Sequence, residues 1–83
     1  MKDKFKENLL INGFQPIYSN HNNSEIDYIR DGVRIRYNTE EQSAVVIKDI
    51  INRTISFSMT SIKYSVDDWS EIMDMHNLFR KDI

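Results

Sequence analysis

The 83 residues suffice for one small domain, which would bury about 60–65% of the surface of the unfolded chain. A composition with 40% hydrophobic and 29% charged residues is typical of a folded globular chain and excludes a disordered polypeptide. The net charge of −2 supplies no overall field that attracts nucleic acid, and the absence of cysteine excludes disulfides, thiolate nucleophiles and cysteine-ligated zinc. The sequence therefore predicts a single domain over residues 1–83 without chemistry based on thiols.

Apolar runs in this chain are short. Leu9–Ile11 is too short for the apolar region of a signal peptide, and Ala44–Ile47 is far below the length of a membrane span. We therefore expect a cytoplasmic protein that does not enter membranes. Twelve Ile and eight Asn against one Ala indicate an AT-rich gene, which suggests a low-GC bacterium or one of its phages or plasmids.

The amino-terminal segment predicts a short helix over residues 3–12, in which Phe5 and Leu9 share one face. Gly13 is expected to end the helix in the left-handed conformation, with Phe14 returning to Leu9 as in a Schellman motif. An Asn-Gly hairpin turn at the same place is the alternative. The helical spacing of the apolar residues favours the helix cap.

Extended structure is predicted next, over Gln15–Ser19. Pro16 cannot donate a ladder hydrogen bond, so this strand is expected at an edge of a sheet. Asn20–Ser24 follows as a polar loop, because its side chains readily bond to their own backbone.

The strongest local pattern is a β-hairpin in which Ile26–Arg30 and Val33–Tyr37 flank an Asp31-Gly32 turn. Asp-Gly between alternating apolar residues favours a type I′ turn, since both of its central residues need positive φ. This turn fixes the register of the two strands. On the predicted core side the facing pairs are Arg30 with Val33, Tyr28 with Ile35 and Ile26 with Tyr37; on the outer side they are Ile29 with Arg34 and Asp27 with Arg36.

A second turn at Asn38–Gln42 leads into a further hairpin, with strands over Ser43–Ile50 and Thr54–Thr60. A three-residue loop sets Val45 and Ile47 against Met59 and Phe57, whereas a two-residue loop sets Lys48 against Phe57. Packing favours the three-residue loop, which directs Val45 and Ile47 to the core and leaves the alternate residues on the outer face.

A carboxyl-terminal helix is predicted after Ser65, which is a candidate N-cap. Acidic residues crowd its first turn and basic residues its last turn, as the helix dipole favours. Apolar spacing defines its buried face, formed by Trp69, Ile72, Met73, His76 and Phe79. The predicted fold class is a two-layer α+β domain with an N-terminal helix, a four- or five-stranded antiparallel meander and a C-terminal helix, both helices lying on one sheet face.

Enough apolar residues are present to fill one core and leave several over. The predicted core consists of Phe5, Leu9, Phe14, Ile17, Tyr28, Ile35, Ile47, Phe57, Trp69, Ile72 and Phe79. The remaining large apolar residues are Leu10, Ile11, Ile29, Ile51, Met75, Leu78 and Ile83. Such a surplus at the helix ends is expected to form a partner or dimer interface, or else to continue the core.

Catalytic and metal-binding motifs are not found in the sequence. Two glycines, Gly13 and Gly32, cannot make a glycine-rich phosphate cradle, so no nucleotide cofactor is expected. His21 lies in a polar loop, and the helical neighbours of His76 include no carboxylate to orient the imidazole. The pair formed by His21 and Glu25 does not match a zinc or calcium site, and the acidic start of the last helix is explained by capping. We therefore expect a non-enzymatic protein without a metal; a site centred on His76 is the enzymatic alternative.

The outer face of the sheet is predicted to carry Arg34 and Arg36 beside Asp27, Ile29, Val46 and Lys48. A nucleic-acid-binding regulator is one hypothesis for this face, and it would use Arg34, Arg36, Lys48 and Arg53. The aromatic residues that would stack on bases fall on the core side, which makes nucleic-acid binding the less favoured hypothesis.

The leading hypothesis is a small regulatory module that binds another protein and modulates it. Origin in a phage or mobile element would make it an inhibitor of a host system, such as an anti-CRISPR protein, or an antitoxin or immunity protein. Acidic residues at Glu40, Glu41 and the start of the last helix are expected to meet a basic partner surface, and a homodimer is a further expectation. The predicted partner-binding residues are Ile29, Arg34, Arg36, Glu40, Glu41, Met75 and Leu78.

Overall fold

A computed structural model describes residues 3–17 and 24–81. Its elements are α1 (Lys4–Ile11), β1 (Gln15–Ile17), β2 (Glu25–Arg30), β3 (Val33–Asn38), β4 (Ser43–Ile51), β5 (Ser56–Thr60), β6 (Tyr64–Ser65) and α2 (Trp69–Arg80). Neighbouring strands are antiparallel in the order β1-β2-β3-β4-β5, and the short β6 pairs with the start of β4 on the same side as β5. The predicted α+β fold is confirmed. Residues 18–23 lie outside the described residues, and they include the end of the predicted first strand and all of the predicted Asn20–Ser24 loop except Ser24, with His21. Ile83 also lies outside them.

Helix α1 begins and ends as its sequence predicts. The Asp3 carboxylate caps it by accepting the N–H of Lys6 at 3.0 Å. At the other end Gly13 has φ +88°, its N–H donates to the Leu10 carbonyl, and the Phe14 N–H donates to the Leu9 carbonyl at 3.0 Å. These two bonds define a Schellman motif, so the predicted cap is confirmed.

The central hairpin has the predicted register in full. Asp31 and Gly32 have φ of 54° and 78°, as a type I′ turn requires. The pairs Arg30–Val33, Tyr28–Ile35 and Ile26–Tyr37 share one face, and the pairs that include Asp27 and Ile29 share the other. Edge strand β1 pairs only with β2 along the ordered strands, which confirms the position predicted from Pro16.

Both helices pack on one face of the sheet, which we call the helix face. Phe5 of α1 lies edge-to-face against Tyr37 of β3 and Trp69 of α2, with ring centroids 4.8 and 5.6 Å apart. Tyr37 also donates its hydroxyl hydrogen to the Asp3 carboxylate at 2.8 Å. The buried cluster between the layers contains Phe5, Leu9, Phe14, Tyr28, Val33, Ile35, Tyr37, Ala44, Val46, Tyr64, Ile72 and Phe79. Among the predicted core residues, Trp69 is partly buried against this cluster and Ile17 is half-buried outside it.

The predicted register of the second hairpin is wrong. Residues 52–55 form a four-residue loop in which the Asn52 side-chain oxygen accepts the N–H groups of Thr54 at 2.9 Å and Ile55 at 2.6 Å. Lys48 consequently pairs with Met59, and Ile50 pairs with Phe57. Neither the two-residue nor the three-residue loop gives these pairs, because the side chain of Asn52 organises a longer turn.

The two faces of β4 are set by its pairing with β3, and they are the reverse of the predicted ones. Val46 and Lys48, predicted on the outer face, lie on the helix face opposite Ile35 and Val33. Val45 and Ile47, predicted in the core, lie on the outer face opposite Arg36 and Arg34; Ile47 is nevertheless buried there. Facing residues of paired strands lie on the same face and side chains alternate along a strand, so the pairing of Val46 with Ile35 decides the face of every β4 side chain.

The predicted N-cap at Ser65 is also wrong. Ser65 belongs to β6 and pairs with Ser43, while its hydroxyl accepts the N–H of Asp67 at 3.3 Å. Helix α2 begins four residues later, with Asp68 as the cap residue. The predicted apolar face is confirmed, since Ile72, His76 and Phe79 are buried.

Candidate functional site

The outer face carries a connected network of ion pairs centred on Asp27. Asp27 is 1% exposed, and its carboxylate accepts hydrogen bonds from Arg36 Nε at 2.8 Å and from Arg34 Nη1 at 2.6 Å. Arg34 also bonds to Asp49 at 2.8 Å, and Asp49 accepts the Ser58 hydroxyl hydrogen at 2.7 Å. The two arginines predicted as a binding surface are therefore engaged by carboxylates of the chain itself.

Electrostatics hold this network in its charged form. Burial opposes ionisation of Asp27, but hydrogen bonds and the charges of Arg36 and Arg34 outweigh it and hold the pKa of that carboxyl below its usual value. The Asp27 bond in turn raises the pKa of Arg36. A hydrogen bond from Ser58, aided by Arg34, lowers the pKa of Asp49. The network is thus a fixed, internally neutralised structure rather than an open cationic patch.

Residues of the nucleic-acid hypothesis are dispersed by the fold. Arg34 and Arg36 lie in the ion-pair network, Lys48 is buried on the opposite face of the sheet, and Arg53 is exposed in the β4–β5 loop. The structure brings only the first two together, and three carboxylates, including Glu25 at 3.9 Å from Arg36, surround them. This arrangement gives little support to phosphate binding, which needs cations free to replace counterions.

His76 is buried completely between α2 and the central hairpin. Its Nε2 lies 3.0 Å from the Arg30 carbonyl oxygen, and its ring lies edge-to-face on Phe14 at 4.9 Å. Burial lowers the pKa of His76, with the bond to Arg30 opposing this shift. A neutral imidazole that donates Nε2–H to the carbonyl satisfies this geometry. The hydrogen bond to Arg30 joins helix α2 to the hairpin. Because the ring is closed off from solvent, a substrate has no open access to it.

The predicted acidic tip lies at the opposite end of β4 from the β4–β5 loop. Glu40 and Glu41 occupy the turn after β3, and Lys63 Nζ bonds to Glu41 at 2.6 Å. This ion pair lowers the pKa of Glu41. Glu41 is therefore already paired, whereas Glu40 faces solvent.

Helix α2 contributes the remaining predicted binding residues. Leu78 is exposed, and Met75 is partly buried against the core cluster. Ile29 lies half-buried on the outer face of the sheet, opposite Arg34. The seven predicted partner-binding residues are thus distributed over the outer face, the β3–β4 turn and α2, and the structure does not gather them into one patch.

Exposed apolar side chains concentrate instead on the β4–β5 hairpin, whose importance the sequence analysis missed. Among the described residues eight large apolar side chains are exposed, and five of them lie between residues 51 and 62. The eight are Leu10, Ile11, Ile51, Ile55, Phe57, Met59, Ile62 and Leu78. Phe57, predicted to be in the core, is 48% exposed, and Met59 is 43% exposed.

The hairpin is exposed because it projects past the rest of the sheet. Pairing between β3 and β4 ends at Val33 with Lys48, so residues 49–51 of β4 pair only with β5. Helix α2 ends beside the β2–β3 turn, where Arg80 lies 3.1 Å from Asp31. The molecule is correspondingly elongated, with dimensions of 45 × 27 × 22 Å.

The register places three apolar side chains of the hairpin together. Phe57 and Met59 lie opposite Ile50 and Lys48, and Lys48 is on the helix face, so Ile50, Phe57 and Met59 share that face. We call these three residues the hairpin patch. Phe57 and Met59 are exposed, and Ile50 is half-buried beside them. Grouped exposed apolar side chains are a feature of protein-binding surfaces. The alternation of Phe57 and Met59 with serines was visible in the sequence, but the register that exposes them depends on the Asn52 loop.

A cavity of about 580 Å³ with mixed polar and apolar walls lies where α1, the β3–β4 turn and the start of α2 meet. Its lining includes Asp3, Lys4, Gln42, Asp67 and Trp69. Lys4 and two carboxylates are among the lining residues, and Asp3 is already bonded to Tyr37 and the α1 amino terminus. Within residues 3–17 and 24–81, no three potential metal-ligating side chains cluster, and no helix is long and apolar enough to cross a membrane.

Comparison with known proteins assigns no relatives to this chain. No protein-family model matches the sequence, and searches of curated proteins and of solved structures return no significant match. Inference about function therefore depends on the surfaces described above.

Proposed function

We propose that the chain is a protein-binding module that docks on another protein through the hairpin patch and modulates it. The observation that carries this proposal is the concentration of exposed apolar side chains on one projecting hairpin, with Phe57 and Met59 at its centre. Aromatic and methionine side chains are enriched in the cores of protein interfaces. No other described surface combines this exposure with this chemistry.

Charge supports a protein partner over a nucleic acid. The neighbouring Lys48, opposite Met59 on the same face, is buried. The arginines of the outer face are held by Asp27 and Asp49. A surface that is apolar at its centre and polar around it fits the anatomy of a protein–protein interface. Phosphate recognition would require free cations instead.

The proposal is tested by capture of a partner from a lysate of the native host, with three immobilised forms of the full chain. These are the unchanged chain, the double variant Phe57→Ser with Met59→Ser, and the control double variant Leu10→Ser with Ile11→Ser. The control removes apolar side chains that are 44% and 81% exposed on α1, away from the hairpin. All four replaced side chains are exposed, so the free energy of unfolding of each variant should differ from that of the unchanged chain by no more than about 0.5–1 kcal/mol.

We expect a stoichiometric protein partner that binds the unchanged chain and the control equally. Loss of two central apolar contacts should weaken binding of the hairpin variant by at least about 2 kcal/mol, or roughly 30-fold. Equal binding to the hairpin variant, or failure to recover any protein partner, would contradict the proposal. Circular dichroism of each variant separates lost binding from lost folding.

A further inference from the structure

The free edge of β5 is a second distinctive feature of the hairpin. The Asn52 N–H donates to the Ile55 carbonyl at 2.8 Å, and the Ser61 N–H donates to the Val46 carbonyl at 2.9 Å. Since bonded pairs alternate along an antiparallel ladder, the pairs between these two points that exchange bonds are Ile50–Phe57 and Lys48–Met59. The intervening residues of β5 therefore direct their N–H and C=O groups away from β4. These residues are Ser56, Ser58 and Thr60.

This edge lacks the features that usually prevent strand pairing. Natural edge strands are protected by charged side chains, proline or bulges. The opposite edge of the sheet has Pro16 in β1, whereas residues 54–62 contain neither proline nor a charged residue. Among the described residues no strand pairs with the outer edge of β5. The regular pairing of this part of the chain with β4 is interrupted only at residues 61–63, between β5 and β6, which pair with β4 in different registers.

Strand β5 is complementary to itself in antiparallel orientation. We propose that two copies of the chain pair through this edge, with β5 of each copy antiparallel to the other about a two-fold axis at Ser58. In this register Ser58 faces Ser58 of the partner subunit, and Ser56 faces Thr60 of the partner subunit. All five residues overlap, and the outward-directed groups of one strand meet those of the other.

Side-chain packing favours the same register. Phe57 then lies opposite Met59 of the partner subunit on the helix face, and the reciprocal pair forms on the other side of the axis. Sulfur–aromatic contacts of this kind are favourable, and only small serine and threonine side chains meet on the outer face, where the Ser58 hydroxyl already donates to Asp49. No charged residue enters the five-residue overlap, so neither strand repels the other.

The area available sets the strength of the dimer. An aromatic side chain buries about 150–250 Å², so Phe57, at 48% exposure, offers roughly 100 Å². Met59 and the flanking Ile55 and Ile62 expose similar fractions or more, which gives each copy roughly 400–500 Å² of apolar surface against the ~800 Å² of a standard interface. We therefore expect a reversible, concentration-dependent dimer whose strand hydrogen bonds fix its geometry.

Single cysteines test the register, because the chain has no cysteine of its own. In the proposed dimer the Cα atoms of the two Ser58 residues lie about 5.5 Å apart, within the range that a disulfide spans. The two Ser56 residues are separated by about 13 Å along the strands. We compare Ser58→Cys, the control Ser56→Cys, and the double variant Ser56→Cys with Thr60→Cys in a glutathione redox buffer.

We expect Ser58→Cys and the double variant to form covalent dimers at least about tenfold faster than Ser56→Cys. Cross-linking of Ser56→Cys as fast as Ser58→Cys would refute the register, and a Ser58→Cys chain that stays monomeric would refute the pairing. Analytical gel filtration under reducing conditions confirms that all three variants are folded.

Light scattering on the cysteine-free chain tests association itself. The mass should rise from 9.9 kDa toward twice that value as the concentration increases, while Ser58→Pro should remain monomeric, since it loses an outward N–H that β4 does not use. A mass of 9.9 kDa for the unchanged chain at about 1 mM, a concentration at which an interface with a dissociation constant of about 0.1 mM or less is mostly dimeric, would overturn the inference. Both contacts use Phe57 and Met59, so we expect partner binding to compete with the dimer. The two outcomes are still distinguishable, because a monomer that captures its partner through the hairpin patch removes the dimer alone.

Discussion

The Asp27 network provides the sharpest prediction about stability. Asp27→Asn removes the negative charge but keeps the shape of the side chain. Loss of one member of a buried ion pair costs about 3–5 kcal/mol when the remaining charge has no other partner. Here Arg34 keeps Asp49 at 2.8 Å, and Arg36 keeps Glu25 at 3.9 Å. We therefore expect a smaller loss of about 2 kcal/mol in the free energy of unfolding, close to the value of a single charged hydrogen bond.

Urea unfolding at pH 7 measures this change, and thermal unfolding should show a decrease in Tm of roughly 8–16 °C for a domain of this size. Asp49→Asn is the matched control, because Asp49 joins the same network from an exposed position. The control should cost less than about 1 kcal/mol. Equal effects of the two substitutions, or a change below about 0.5 kcal/mol for Asp27→Asn, would refute the reasoning.

The same carboxylate sets a dependence on acid. The folded-state pKa of Asp27 lies below the ordinary value of 3.8, so its ionised form favours the folded state above that pH. This stabilisation is lost as the pH falls from about 4 through the folded-state pKa. Asp27→Asn should therefore lose less stability than the unchanged chain between pH 5 and pH 2, which the same urea series measures at low pH.

Three further predictions concern groups in the core and at a turn. Burial lowers the folded-state pKa of His76, so stability should fall as the pH drops below about 6.5, and His76→Gln, measured by urea unfolding at pH 7.5 and 5.5, should reduce this dependence. Burial and the bond to Asp3 raise the pKa of Tyr37 to about 12, so an absorbance titration should show one tyrosine that ionises about two pH units above the ordinary value, and Tyr37→Phe should abolish this late step. Because the neutral phenol favours the folded state, its contribution to stability is lost as the pH rises above 10. Gly13→Ala should lower the free energy of unfolding by about 1 kcal/mol because of the φ of +88° alone, since an added Cβ would meet only Arg30 Cδ at an ordinary 3.8 Å. A decrease of more than about 3 kcal/mol in urea unfolding would contradict this cause.

Local sequence signals were sufficient where one short motif controls a structure. Asp31-Gly32 allows few turns, and its type I′ geometry fixed every pair of the central hairpin. Gly13 similarly ended α1, because no other residue type adopts its φ so readily. In both cases the information lies within a few residues.

The register of the second hairpin was not predictable in the same way. Its loop depends on the Asn52 side chain, which bonds to two N–H groups and lengthens the turn by one residue relative to the favoured interpretation. Apolar packing in the sequence favours the pair of Ile47 with Phe57, whereas the structure pairs Ile50 with Phe57. The error followed from the assumption that large apolar residues must lie in the core, whereas half of Phe57 is exposed.

The candidate site was not predicted because it depends on contacts between strands. Arg34 and Arg36 were correctly placed on the outer face, but the ion pairs that occupy them depend on Asp27 and on Asp49 from another strand. The patch of Ile50, Phe57 and Met59 exists only because β4 continues beyond β3, a feature of strand length and register that no local motif encodes.

Hydrogen exchange of the chain bound to its captured partner tests the central claim most directly. The comparison is made amide by amide between the free and the bound chain at saturating partner. We predict slower exchange on binding across residues 50–60, which contain the hairpin patch. Protection confined to the strand of Arg34 and Arg36 or to the turn at Glu40 and Glu41, with residues 50–60 unchanged, would contradict docking through the hairpin.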